Sequence, residues 1–190
     1  EFNLRSILWD LNYFKYCFLK PSGLDFDEVL LQDDFEKLAD DLLVSDTDTF
    51  LYRDFNARNV MIKDGEPYFV DFQGGRRGPV FYDVASFAWQ ARAKFTEDQK
   101  EMMLKAYLDA YSQYSSMGEQ DFRSSLRLFV LFRLLQVLGA YGFRGWMEHK
   151  ASFVTSIPAA ISELKAWLAD PSDRYPYLMQ TLERLVALPR

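Results

Sequence analysis

Residues 51–73 read LYRDFNARNVMIKDGEPYFVDFQ. Three oxygen-bearing side chains, Asp54, Asn59 and Asp71, punctuate a stretch that otherwise patterns as short strands: Thr49 to Tyr52, Asn59 to Ile62 and Tyr68 to Val70. Lys63-Asp64-Gly65-Glu66 carries the Asp-Gly pair that a type I′ hairpin turn favours, because both central residues need positive φ. Such a hairpin folds the chain back, so the ends that hold Asn59 and Asp71 become neighbours and Asp54 overhangs the same edge. Strands of this composition ought to be buried, and three hydrophilic side chains at their ends need a reason.

Phosphoryl transfer supplies one. That chemistry asks little covalent work of the protein: it needs an acceptor hydroxyl held in place, phosphates oriented and their charge neutralised by a metal. One carboxylate must orient the hydroxyl and receive its proton. Hard oxygen ligands must hold Mg²⁺, which prefers carboxylate and amide oxygens to nitrogen or sulfur. Ordinary turn chemistry also places Asp and Asn at strand ends, but it does not explain their ordered spacing on one hairpin.

The letters themselves carry a resemblance. Tyr52-Arg53-Asp54-Phe55-Asn56-Ala57-Arg58-Asn59 resembles the catalytic loop of kinases, and Asp71-Phe72-Gln73 resembles their metal-binding DFG segment. Gly78-Pro79-Val80-Phe81-Tyr82-Asp83-Val84-Ala85-Ser86 is unlike a protein-kinase activation segment. It is similar to the continuation found in the aminoglycoside phosphotransferase/choline kinase family, and within it to the kinases of N-acetylmuramate and N-acetylglucosamine. The resemblance implies an α+β, mostly helical fold: the C-terminal lobe of a protein-kinase-like structure, with a small β-hairpin carrying the catalytic loop. It implies ATP and Mg²⁺ as cofactors, Asp54 as catalytic base, and Asn59 and Asp71 as metal ligands. Asp83 would be an acid behind the loop that steadies it, with Arg53 beside it, and Arg58, Asn56 and Arg76 would be candidates for substrate contact.

Two departures stand out. Tyr52 replaces the His that opens many such loops, which alters how the loop is pinned to the core. Asn56 replaces a second frequent His and so bears on acceptor positioning. Residues 1–48 hold two helices and neither a phosphate-covering loop nor a strand lysine. The chain is therefore expected to be a kinase-like lobe over residues 1–190, with the hairpin region at 49–73 and a helical subdomain at 79–188. Its partners would be ATP, a small hydroxylated substrate and an N-terminal lobe of the same polypeptide, the isolated chain being inactive. The competing reading is a non-catalytic helical binding or scaffold module.

Composition narrows the field. The 190 residues are 49% hydrophobic and 17% aromatic, enough for one well-packed domain or lobe. A net charge of -6 argues against a nucleic-acid partner. Lone Cys17 forms no intrachain disulfide, and with only His149 beside it no His/Cys zinc site can be assembled. These features favour a reducing, cytoplasmic setting. No run approaches the roughly 18 consecutive apolar residues of a membrane span. The buried central run from Leu126 to Leu138 reads as too short for one.

Helical periodicity accounts for the rest. Helices are predicted at 3–20, stopped by Pro21-Ser22-Gly23, and at 25–44, with Val29, Leu30, Phe35, Leu38 and Leu42 on the inner face. Gly74 to Pro79 reads as loop. Further helices are predicted at 80–94, at 96–115 with Thr96 and Gln99 as a capping box, at 119–139, at 150–169 and at 174–187. Trp89, Tyr141, Trp146 and Trp167 read as core aromatics, and His149 as a surface or cap residue.

Overall fold

A computed structural model describes residues 1–45 and 48–189. The described residues form eight α-helices and four short strands. Their contacts divide into two compact units, Glu1–Phe2 with Ser45–Val130, and Asn3–Val44 with Leu131–Arg190.

The second of these is all helical. Its first helix, α1 (Leu4–Phe14), starts at Asn3, whose side chain accepts from the Ser6 N–H while Ser6 answers the Asn3 N–H. The backbone then widens into a π-helical stretch, Lys15–Leu19, and tightens into a 3₁₀ turn, Lys20–Ser22. Gly23 ends it at φ 79°, a left-handed value that only glycine adopts without strain. Helix α2 (Glu28–Leu43) is capped by Asp27, which accepts from Val29 and Leu30.

The inner face of α2 differs from the predicted one. Leu31, Phe35, Leu38, Ala39 and Leu42 are buried, whereas Val29 is 69% and Leu30 48% exposed. The buried residues form a single stripe at helical spacing, and the first-turn pair lies off it. Asp34 sits on that same buried stripe.

Helices α6 (Ala151–Val154) and α7 (Ile157–Trp167) replace the single helix predicted at 150–169. Pro158 lies in the first turn of α7, where its missing N–H costs nothing, so a new helix starts there. Helix α8 (Pro176–Val186) has Tyr175 at its N-cap, which offers no capping side chain. Asp34 of α2 does the work instead, accepting from the Tyr177 N–H at 2.8 Å and the Leu178 N–H at 2.9 Å. A buried carboxylate is tolerable because it meets two orphan amides and the Lys37 ammonium at 2.9 Å.

The later half of α5 (Glu119–Gly142), with its π-helical extension Phe143–Met147, completes this unit. It lies so close to the stretch after α1 that a Cβ on Gly142 would sit 2.0 Å from the Cys17 carbonyl oxygen. Gly142→Ala is expected to destabilise the chain by about 2 kcal/mol. The helix-propensity gain of about 1 kcal/mol is outweighed by an overpacking cost of about 3 kcal/mol, since the obstructing atom is backbone and cannot rotate away. A lower denaturation midpoint at unchanged slope is the check; an unchanged midpoint would refute the close approach. From Glu119 to Met147 the helical stretch of 29 residues is long and apolar enough to cross a membrane, longer than the predicted run, and more than half of its most apolar 18-residue window is buried within the protein.

The other unit carries the strands. β1 (Thr49–Leu51) pairs antiparallel with β4 (Arg76–Gly78), matching Thr49 with Gly78 and Leu51 with Arg76. The predicted loop at Gly74 to Pro79 is thus partly strand. Gly78 is needed there, because a Cβ would fall 2.3 Å from Leu51 Cδ1. β2 (Val60–Lys63) and β3 (Glu66–Phe69) form the expected hairpin, Lys63 opposite Glu66, with Asp64 at φ 54° and Gly65 at φ 84° in the turn.

Neither hairpin strand is buried as the sequence suggests. Met61, Ile62, Tyr68 and Phe69 are all at least half exposed, on a ribbon of only two strands. Helices α3 (Val80–Ala88) and α4 (Glu97–Tyr111) and the first half of α5 supply the core of this unit. Phe81 packs on Phe122 at 4.9 Å and on Phe129 at 5.4 Å between ring centres. The predicted Thr96/Gln99 capping box is present. The architecture is mostly helical with a small hairpin beside the catalytic-type loop, as expected for the C-terminal lobe of a kinase-like fold.

Candidate active site

The loop from Tyr52 to Asn59 is held from behind by α3. Asp83, in the first turn of that helix, accepts the Tyr52 N–H at 2.5 Å and the Arg53 N–H at 2.9 Å. Two charge-assisted bonds on adjacent amides fix a sharp bend, and Arg53 there takes φ 75°, a conformation rare for a side chain of its size. Phe55 anchors the middle of the loop by stacking on Phe87 of α3 at 4.8 Å.

Tyr52 also ties the loop to the far strand: its hydroxyl donates to the Val70 carbonyl oxygen. Burial, and then the negative charges of Asp71, Asp54 and Asp83, hold this hydroxyl above its ordinary range, so it stays protonated and remains a donor. Val70 in turn donates its N–H to the Asn59 carbonyl at 3.0 Å, which extends the hairpin ladder by one step and brings Asp71 beside Asn59. Asp71 sits at φ 70°. Asp and Asn are the residues that tolerate that region best after glycine.

Three predicted residues come together. The Asn59 amide Nδ2 donates to the Asp54 carbonyl at 2.9 Å and points at Asp71 Oδ2 at 3.5 Å. Asn59 is buried, whereas Asp54 and Asp71 are exposed, so two carboxylates open to solvent around a fixed amide. The Asp54 carboxylate leans over the following loop, where a Cβ on Gly74 would lie 3.6 Å from its Oδ2. Gln73 donates to Asp71 Oδ1 at 2.6 Å and orients that carboxylate.

The donor set fits a hard divalent cation held jointly with phosphates. With Nδ2 turned inward, Asn59 has Oδ1 left as an acceptor, and Asp71 offers carboxylate oxygens beside it. No cluster of three His, Cys, Asp or Glu occurs among the described residues. Mg²⁺ is commonly bound in this way, by one or two protein oxygens plus substrate phosphates rather than by an all-protein cage.

The other candidates separate. Asn56 turns its amide onto the Asp54 carbonyl at 2.9 Å, within the loop. Arg58 is exposed, and Arg76 lies on β4 opposite Leu51; neither guanidinium forms an ion pair among the described residues, whereas Arg77 pairs with Asp48 at 3.2 Å. Trp146 stacks on Phe18 at 4.7 Å and Trp89 lies under the Lys100 ammonium at 5.6 Å. His149 is exposed, at φ 56°. One residue that sequence reasoning passes over, Gln90, also touches the loop: its Oε1 accepts the Ala57 N–H at 3.0 Å.

These features, a loop bent by an acid from the next helix and a hairpin that sets an amide beside a carboxylate, are those of a kinase-like phosphotransferase lobe. Residues 15–119 match the model of the phosphotransferase enzyme family (APH), more than half of the chain, and the chain belongs to that family. Among curated proteins it is similar to the N-acetylmuramate/N-acetylglucosamine kinase of Pseudomonas aeruginosa, 27% identical over 144 residues that cover 74% of this chain and 41% of the relative. The protein of the same name from Neisseria meningitidis serogroup B is 26% identical over 198 residues, covering 99% of this chain and 57% of the relative. The chain thus spans about half the length of the curated relatives it matches.

Proposed function

We propose that this chain is the C-terminal lobe of an ATP-dependent kinase that phosphorylates a hydroxyl of an amino sugar, N-acetylmuramate or N-acetylglucosamine. The observation that carries the reading is the meeting of Asp54, Asn59 and Asp71 through the Asn59 amide, in a family of phosphotransferases. The activity for which the two relatives are named supports the sugar. Asp54 orients the acceptor hydroxyl and takes its proton as the γ-phosphorus bonds to the hydroxyl oxygen and its bond to the β–γ bridging oxygen breaks, with ADP leaving. Asn59 and Asp71 would hold Mg²⁺, which when bound would neutralise the charge of the phosphates. Asp83 keeps the loop bent, Tyr52 ties it to the Asp71 strand, Asn56 braces the Asp54 carbonyl, and Arg58 and Arg76 remain the candidates for substrate contact.

The remainder of the polypeptide supplies the second lobe, without which the 190 residues do not turn over, and the dependence on ATP places the enzyme in the cytoplasm. The test is a transfer assay of the whole protein with Mg-ATP and a panel of hydroxylated metabolites: N-acetylmuramate, N-acetylglucosamine, choline, homoserine and an aminoglycoside. Phosphorylation of the two amino sugars at the highest kcat/KM is the expected result. Transfer to another member corrects the substrate, and transfer to none overturns the kinase reading.

A further inference from the structure

The three-residue 3₁₀ turn Ala57–Asn59 delivers Asn59 to its place, and its N-terminal amides need acceptors. The residue at its N-cap is Asn56, a type well suited to that duty, yet Asn56 makes no capping bond. Its side-chain Nδ2 donates to the Asp54 carbonyl. The Ala57 N–H is capped from another element: Gln90 Oε1 accepts it at 3.0 Å, across 33 residues of sequence.

The Gln90 amide has a single sensible orientation. An N–H faces its oxygen and a carbonyl, that of Phe87 at 2.8 Å, faces its nitrogen. The same bond ends α3: Nε2 takes the Phe87 carbonyl that a continuing helix would have used, and Trp89 leaves helical geometry at φ -105°. Phe87 is also the ring on which Phe55 stacks. The end of α3 therefore grips the loop on both sides of Asn56, at Phe55 and at Ala57.

We propose that Gln90 is a positioning residue of this site: by capping the first amide of the Asn59 turn from outside, it sets Asn59 for the metal, while Asn56 braces the Asp54 carbonyl. This rests on the kinase reading above. In the whole protein, Gln90→Met keeps the side chain's length and removes both bonds. The Mg²⁺ concentration for half-maximal rate is expected to rise about tenfold, as for other residues that orient metal ligands, with the acceptor KM little changed. Hydrogen exchange at the Ala57 amide is expected to accelerate, while that at the Lys100 amide, bonded to Thr96 O at 2.9 Å in α4, stays as in the parent. Gln90→Glu, which retains an oxygen for Ala57, restores most of the Mg²⁺ response.

An unchanged Mg²⁺ requirement in folded Gln90→Met overturns the proposal, whether or not Ala57 exchange moves. So does acceleration at both amides with no change in the requirement per folded molecule, which marks a purely structural role. Should Gln90→Met fail to fold, Gln90→Asn, one methylene too short to span both partners, is read in the same way. Asp54→Asn runs alongside: parent-level turnover there defeats the kinase reading itself, whereas an inactive Asp54→Asn beside a normal Gln90→Met defeats the role of Gln90 alone.

Discussion

Asp54→Asn is expected to lower turnover of the whole protein by about 10³-fold, with little change in nucleotide affinity. The substitution preserves shape and removes the group proposed to accept the hydroxyl proton, a contribution of about 10²–10⁴-fold in general-base catalysis. Its backbone is already secured: the Asp54 N–H donates to the Tyr52 carbonyl at 3.1 Å, and its own carbonyl takes the amides of Asn56 and Asn59 at 2.9 Å each. The loop should therefore keep its shape, leaving the loss in the chemical step. Steady-state kinetics with saturating Mg-ATP give the answer, the loss appearing in kcat. A variant that works at the parent rate removes Asp54 from the mechanism.

Asp71→Asn is expected to weaken Mg²⁺-dependent nucleotide binding, raising the Mg²⁺ requirement on the order of a hundredfold, at the upper end of what displaced metal-site partners cost. Asparagine is the informative replacement. Asp71 stands at φ 70°, which Asn tolerates, whereas Ala would add roughly 1–2 kcal/mol of backbone strain to the lost ligand. Calorimetric titration of nucleotide with and without Mg²⁺ separates the two arms: affinity falls only when the cation is present. An equal fall in both, or none, would show that Asp71 does not serve the metal.

Much of this site was legible because its signals are local. The Asp-Gly turn sets the hairpin register, the register places Asn59 beside Asp71, and the Thr96/Gln99 box marks the start of α4. Three of the misreadings share one physical cause, partners distant in sequence. Arg76-Arg77-Gly78 has no strand-like alternation and becomes β4 only because Thr49–Leu51 pairs with it. Asp34 occupies a stripe that periodicity assigns to apolar residues, since it caps a helix 143 positions away. The early end of α3 depends on Gln90, an ordinary glutamine until Ala57 and Phe87 are beside it. The break before α7 is different, for Pro158 announces it in the sequence.

The grip of α3 on the loop has a consequence for assembly. Residues 52–59 draw their shape from Asp83 and Gln90, thirty or so positions downstream, so a nascent chain that has reached only the hairpin holds the right letters in the wrong conformation. Closing such a loop carries an entropic cost that the local hairpin turn does not. Competence at this locus is thus acquired only once the downstream helix has docked.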